Sequence, residues 1–416
     1  MNIYVETHGC TANKSDERLL IGLVQHQGHQ IVKSIAEADV LVLLTCTVIG
    51  TTEQRMLSRL KMFHKTQKKI IVSGCMPAVQ ADLITAVAPH ACFLPLHHIQ
   101  YINDIVKGNE PAFIEMKKTA LPRSYESIIT PIMIAEGCSR SCSYCITRFA
   151  RGPLRSFPPS ELLADVHDAL QQGCKEIQLT AQDTASYGLD IGTHLGVLLT
   201  SITTIDAPFR IRVGMMNPAT IQKNLTSIMT AYQHPRIYNF LHVPIQSGDN
   251  DILQKMNRGY TAKDFIDLVH RFRTTIPTLT LSTDVIIGFP SETEEQFNHT
   301  IQVLTDVKPD IVNITKFSAR PLTPAKKMKG RIPTHIVKER SRHLTEVGSK
   351  LSLQNNMKHL RKTYTTLVTE KGKNNTVTGR TDSYKQVVLS DPVKLGTFVD
   401  VEILDATPSY LFGKLI

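Results

Sequence analysis

The chain has 416 residues, 47 Lys and Arg against 37 Asp and Glu, a net charge of +10 and no Trp. That length exceeds one ordinary domain, and an apolar share of 42% supplies real cores, which excludes a disordered or fibrous chain. No run approaches the ~18 apolar residues of a membrane span. Residues 1–8 lack the charged start and apolar stretch of a secretory leader, so cytoplasmic residence with no membrane partner is expected; there, clustered cysteines are metal ligands rather than disulfides.

Residues 1–120 alternate short apolar runs with helical patterns. Strands are expected at 3–5, 38–44 and 69–73, and helices at 15–27 and 51–66. That alternation implies an α/β domain with a parallel sheet. Each strand is followed by a cysteine, namely Cys10, Cys46 and Cys75. The carboxyl ends of parallel strands line one crevice, so three thiols far apart in sequence have a place to converge. Spacing alone leaves two readings open, a metal cluster or three buried structural thiols.

Residues 121–355 repeat strand then helix. Strands are expected at 132–135, 176–180, 209–213, 240–243, 279–287 and 312–317, with helices at 159–172, 261–275 and 292–307. Six such units suggest a partial or complete β/α barrel, with its chemistry at the C-terminal mouth. After the first strand comes Gly137-Cys-Ser-Arg-Ser-Cys-Ser-Tyr-Cys145. A closed structural zinc site needs four ligands, and here there are three. Three thiolates, such as Cys138, Cys142 and Cys145, can hold three irons of a [4Fe–4S] cube and leave the fourth open; a structural zinc loop is the alternative reading. Arg148, Arg151 and Arg155 follow at near-helical spacing and can bring positive charge beside that loop. Polar residues recur after later strands: Gln182 and Asp183, Asn217, Gln246, Ser247 and Asp249, then Ser318, Arg320 and Thr323.

From Lys326 to Lys362 there are eleven Lys or Arg against Glu339 and Glu346 alone. Such a stretch suits a polyanion such as RNA. Residues 356–416 then show short runs at 363–369, 375–380, 386–389 and 398–404, punctuated by Gly and Asp-Pro, which reads as a small antiparallel barrel. Tyr364, Arg380, Tyr384 and Lys385 are its candidate RNA contacts.

The order of these blocks resembles the methylthiotransferases of the radical S-adenosylmethionine (SAM) class, in which an N-terminal three-cysteine domain precedes a radical-SAM barrel and a C-terminal TRAM domain. Glu6-Thr-His-Gly-Cys-Thr-Ala-Asn13, Thr45-Cys-Thr-Val48 and Ser73-Gly-Cys-Met-Pro77 are similar to the family's boxes around its first cluster. Gln182-Asp-Thr-Ala-Ser-Tyr-Gly188, His242-Val-Pro-Ile-Gln-Ser-Gly248, Asp284-Val-Ile-Ile-Gly-Phe-Pro-Ser-Glu-Thr293 and Phe317-Ser-Ala-Arg-Pro-Leu-Thr-Pro324 are similar to its barrel motifs. The glycine-rich motif of the class is replaced by Leu179-Thr-Ala-Gln-Asp183, a departure that loosens the assignment of SAM contacts there.

The resemblance implies two [4Fe–4S] clusters, one on Cys10, Cys46 and Cys75 and one on Cys138, Cys142 and Cys145. It implies SAM contacts at Tyr144, Gln182, Asp183, Gln246, Ser318 and Arg320, and two SAM per turnover. One SAM yields the radical that takes hydrogen from an unactivated purine C2–H; the other supplies a methyl group to the inserted sulfur. An electron donor such as a flavodoxin or ferredoxin and the anticodon loop of a tRNA are the implied partners. Family branches act on isopentenyladenosine in tRNA, on threonylcarbamoyladenosine in tRNA, or on an aspartate of a ribosomal protein. Gly9-Cys-Thr-Ala-Asn-Lys-Ser-Asp16, Thr45-Cys-Thr-Val-Ile-Gly-Thr-Thr-Glu-Gln54 and the Asn217-Pro218 run are most similar to the threonylcarbamoyladenosine branch. The other branches, and a non-catalytic Fe–S protein that binds RNA, stay open on sequence alone.

Overall fold

A computed structural model describes residues 1–111, 114, 118–125 and 127–416. The N-terminal block runs β1 (Asn2–Thr7), α1 (Thr11–His26), β2 (Gln30–Val32), β3 (Val40–Thr45), α2 (Gly50–Lys65), β4 (Lys69–Gly74), α3 (Met76–Val79), α4 (Ala81–Val87), β5 (Cys92–Phe93) and α5 (Ile102–Lys107). Its strands form one sheet in the order β2-β1-β3-β4-β5, all pairs parallel. Every residue of β3, Val-Leu-Val-Leu-Leu-Thr, is buried, as the central strand of a sheet covered on both faces requires. The two faces carry separate cores, one around Leu19, Leu20 and Ile99, the other around Met56, Leu60 and Phe63.

The central block comprises β6 (Ile129–Met133), β7 (Ala135–Glu136), α6 (Thr147–Arg151), β8 (Arg155–Ser156), α7 (Pro159–Gln171), β9 (Glu176–Thr180), α8 (Leu195–Thr203), β10 (Arg210–Val213), α9 (Pro218–Ile221), α10 (Leu225–Tyr232), β11 (Phe240–His242), α11 (Asn250–Lys255), α12 (Ala262–Thr275), β12 (Thr280–Ile287), α13 (Glu294–Val307), β13 (Ile311–Lys316) and α14 (Thr334–Met357). Six parallel strands make an open barrel in two halves, β6-β9-β10 and β11-β12-β13, linked by a parallel bridge between Ile211 and Ile237. Local sequence explains the helix starts. Thr261 with Asp264 and Thr293 with Gln296 form complete capping boxes. The expected first strand is split: the chain leaves the barrel after Met133 so that β7 can pair antiparallel with β8. The last ends one residue earlier than expected, which frees Phe317 to pack edge-on against Phe289 at 5.3 Å.

β14 (Thr363–Lys371), β15 (Val377–Thr381), β16 (Gln386–Leu389), β17 (Phe398–Ala406) and β18 (Leu411–Leu415) form a closed barrel. The pairing is antiparallel except between β16 and β18, which run parallel and complete the closure. This small barrel docks on the floor of the large one, at the N-terminal ends of its strands. Asn239 N–H donates to the Asp382 carbonyl at 2.8 Å, and Arg210 pairs with the Asp382 carboxylate at 2.8 Å. The N-terminal block closes on the opposite end. Among the described residues no helix is long and apolar enough to cross a membrane.

Candidate active site: two cysteine bays at the barrel mouth

β1, β3 and β4 are neighbours, so the residues after them converge. Gly74, at φ +88°, lets the chain turn against β3; a Cβ there would sit 2.3 Å from the Thr45 carbonyl oxygen. Cys75 N–H donates to that carbonyl at 2.9 Å. Gly9, at φ +125°, brings the Cys10 loop over Cys46; a Cβ there would lie 2.9 Å from the Cys46 Cβ. Cys46 and Cys75 are buried and Cys10 is exposed, an arrangement that leaves one side of the bay open. Burial raises the Cys46 thiol and pushes Cys75 up to about 11, outweighing the nearby Arg151 guanidinium.

The second bay is the loop between β7 and α6. Cys138 N–H donates to the Gly152 carbonyl at 3.2 Å, and Cys145 N–H to that of Cys142 at 3.1 Å. Arg140 N–H points at the Cys138 sulfur at 3.4 Å, and Arg258 Nη1 at the Cys142 sulfur at 3.1 Å. The loop is anchored through Ser143, whose hydroxyl donates to the Lys255 carbonyl at 2.7 Å and whose own carbonyl accepts from Ala325 N–H at 2.8 Å. Burial, with the Asp183 carboxylate nearby, pushes the Cys138 thiol up to about 11; burial also raises Cys145. Protonated thiols in both bays mean that metal entry must release protons.

The donor set of each bay suits an Fe–S cube. Each offers three thiols and no other metal-binding side chain in its set. Among the described residues no three His, Cys, Asp or Glu side chains stand close enough to share one ion; a cube does not ask for that, since each thiolate binds a different iron. Gln182 and Gln246, from two different strand ends, each leave Oε1 buried without a partner, as acceptors awaiting a ligand would. Gln246 is held at φ +70°. Asp183 is buried and raised by that burial; its Oδ1 accepts from Ala185 and Asn217 N–H at 3.2 and 3.0 Å.

Other expected residues are engaged elsewhere. Tyr144 packs against the cluster of Ile252, Met256, Phe289 and Ala325, with its hydroxyl 3.2 Å from Arg258 Nη1. Arg320, expected to contact SAM, ties the N-terminal block to the mouth: it donates to Thr47 Oγ1 at 3.1 Å and Gln80 Oε1 at 3.3 Å and pairs with Glu53, while its Nε is buried without a partner. Ser318 abuts Gly50 in the same junction.

Two expected RNA contacts are corrected. Lys385 is buried, with Nζ 2.6 Å from Asp310 Oδ1 and 2.8 Å from Asn356 Oδ1. Tyr384 points into the floor of the large barrel, its hydroxyl 3.1 Å from Glu176 Oε1, its ring 4.7 Å from Tyr238 and 4.9 Å from Phe240. A lysine and a tyrosine on a basic domain are here docking residues because the large barrel supplies the acids and rings they need. Arg380 lies over the Tyr384 ring at 4.7 Å, and Tyr364 bonds His359 Nδ1 at 2.7 Å; both are half-buried. The sequence reading missed Arg258, which carries no local signature, and gave Asn13 no role beyond its place in the box at residues 6–13.

Residues 2–94 match the Uncharacterized protein family UPF0004, residues 132–304 the Radical SAM superfamily and residues 358–416 the TRAM domain. A probable threonylcarbamoyladenosine tRNA methylthiotransferase of Pyrococcus abyssi is 39% identical over 430 residues, covering 100% of each chain. The chain belongs to the threonylcarbamoyladenosine tRNA methylthiotransferase family. The likeness extends to the Drosophila melanogaster member, at 34% identity over 100% of this chain and 77% of that one, and to the human member, at 31% over 99% and 73%. Among solved structures, the radical SAM methyltransferase TsrM of Kitasatospora setae, with cobalamin and a [4Fe–4S] cluster bound, superposes with a TM-score of 0.58 at 12% identity, over 78% of this chain and 76% of that one. The cobalamin-dependent enzyme OxsB gives 0.55 at 9%, over 83% and 56%. These two establish the fold. As a radical-SAM member of this methylthiotransferase family, the protein uses SAM and an Fe–S cluster.

Proposed function

We propose that the protein inserts a methylthio group at C2 of N6-threonylcarbamoyladenosine, at position 37 beside the anticodon of tRNA. The observation that carries this reading is the opposition of two three-thiol bays. One is built by a single loop of the barrel, the other by three strand ends of the block that closes over the mouth. A C2–H bond is beyond the reach of acid–base side chains, so the hard chemistry belongs to cofactors. When bound, two [4Fe–4S] clusters would supply the electron that splits SAM and the open iron that carries the sulfur, with a second SAM as methyl donor.

The chain's own residues hold and enclose. Cys138, Cys142 and Cys145 would ligate the first cluster, with Arg258 and Arg140 donating to two of their sulfurs. Cys10, Cys46 and Cys75 would ligate the second. Gln182, Asp183 and Gln246 offer acceptors to SAM or substrate. Arg320 and Ser318 keep the N-terminal block seated, which excludes water from a radical. Three units, 1–120, 121–355 and 356–416, divide this labour in the cytoplasm, with a flavodoxin or ferredoxin as electron source.

The substrate must approach from the side, because the TRAM barrel sits at the floor and the bays at the mouth. Helix α14 has 24 residues, about 36 Å, and joins the mouth loop to that floor. It exposes Lys338, Arg342 and Lys350, whereas Arg340 is buried against Glu292 at 2.8 Å. Those exposed cations suit the phosphates of an anticodon arm, whose loop can splay a base into the mouth.

Nucleoside mass spectrometry tests the reading. Anaerobically reconstituted protein with reductant, SAM and tRNA bearing threonylcarbamoyladenosine should yield the methylthio nucleoside. Deoxyadenosine without that product would move the reading to isopentenyladenosine tRNA or a ribosomal protein.

A further inference from the structure

Between the two bays lies a buried polar network. Asn13, Asp16, Glu136 and Arg151 are each at most 2% exposed. Arg151 belongs to the barrel, six residues after Cys145, yet its guanidinium points into the N-terminal block. Nη2 donates to Asn13 Oδ1 and to Asp16 Oδ2, both at 2.7 Å. Nη1 lies 3.5 Å from Glu136 Oε1, two residues before Cys138. Lys118 Nζ completes the set, 3.2 Å from Asp16 and 2.6 Å from Glu136, and His97 Nδ1 stands 3.7 Å from Glu136.

Asn13 turns the same contact toward the cysteines. Its Nδ2 donates to the carbonyls of His8 at 2.8 Å and Thr45 at 2.9 Å, in the segments that carry Cys10 and Cys46. Ala150, beside Arg151, packs against Cys75. One cation of the barrel domain is therefore connected to all three cysteine carriers of the other domain.

We propose that Arg151 is a positioning residue for the cluster on Cys10, Cys46 and Cys75, making that site the joint product of two domains. The inference rests on the two-cluster reading above. Through Asn13 the guanidinium fixes the cysteine loops. Through its charge it favours the more reduced, more anionic form of a cube that already carries three thiolates, because charges in a dry interface act strongly and surrounding charge and hydrogen bonds set a cluster's potential. Glu136 ties the same network to the Cys138 loop, so the spacing of the two bays is fixed by one set of ion pairs.

The test uses the full-length chain with Cys138, Cys142 and Cys145 all changed to Ala, so that only the N-terminal site can load. Iron and sulfide content, the rate of iron loss to a chelator, and the reduction midpoint followed by electron paramagnetic resonance are the readouts. Arg151→Met combined with Asp16→Asn removes a pair of charges together. It should speed iron loss about 10-fold and move the midpoint to more negative potential. Arg151→Lys, which keeps charge but loses the fork, should return the midpoint toward the parent value. Parent-like iron retention and midpoint in the double variant would overturn the proposal. Should the double variant not fold, Arg151→Lys alone decides: a parent-like rate of iron loss and resonance line shape overturns the proposal, and a faster loss upholds it. A parent chain that binds no cluster with Arg151 intact sinks the two-cluster reading itself, and this inference with it.

Discussion

The two ends of the large barrel are both closed by another domain through buried charges, yet they differ in what is left over. At the floor, Lys385 and Tyr384 find complete partners in Asp310, Asn356, Glu176 and the surrounding rings. At the mouth, Arg320 and Glu53 seal the junction while Gln182 and Gln246 keep buried acceptors unpartnered, and Cys10, Cys46 and Cys75 on one side and Cys138, Cys142 and Cys145 on the other stand near one another. Buried polar groups are normally satisfied. Arg212 Nε is unpartnered at the floor, so the difference lies in the acceptors: a closure whose buried side-chain oxygens are matched is scaffold, and one that leaves amide oxygens waiting is a candidate site.

That contrast can be broken by mutation. Arg320→Ala leaves Glu53 with an uncompensated charge in the junction; such losses cost roughly 3–5 kcal/mol. Denaturant unfolding should show it, together with loss of methylthio product. Lys385→Met strands Asp310 at the floor and should destabilise similarly, but SAM cleavage by the folded protein should persist. The pair fails as a contrast if Lys385→Met abolishes cleavage as well.

Affinity for tRNA separates the ends next. Lys338→Gln with Arg342→Gln should reduce the salt dependence of binding by about one to two units of slope, since each lost phosphate contact removes roughly 0.7–0.9. Folded Lys385→Gln should leave that slope as it was, because a lysine sealed against Asp310 meets no phosphate.

Smaller effects sharpen the floor. Tyr384→Phe loses one hydroxyl and should cost about 1 kcal/mol, read as a small drop in denaturation midpoint with no change in product. His359 is held neutral by burial and by the Lys385 charge, its pKa lowered to about 4. The unfolded chain binds that proton near pH 6.5, so the stability it contributes is present above 6.5 and lost as pH falls toward 4. His359→Gln should flatten the stability profile across that window.

Much of this was legible in the sequence, for identifiable reasons. Cys138, Cys142 and Cys145 lie within one loop, so their spacing marks them directly as a candidate ligand set. Cys10, Cys46 and Cys75 needed the parallel sheet as an intermediate, and the order β1-β3-β4 supplies their convergence. Docking was not legible. Lys385 and Arg340 read as surface cations and Arg151 as charge beside the Cys138 loop, yet each is buried because its acid, Asp310, Glu292 or Asp16, comes from a distant segment. Leu411–Leu415 escaped notice as a strand, being short and interrupted by Gly413, which packs within reach of Val401 and Val387 where a Cβ would collide at 2.2 and 2.9 Å.

The most direct test of the account is to follow deoxyadenosine and methylthio nucleoside together in two single variants of the reconstituted enzyme. Cys142→Ala should form neither, and Cys46→Ala should form deoxyadenosine without the methylthio nucleoside. Full methylthio product from Cys46→Ala would contradict the division of labour between the two bays.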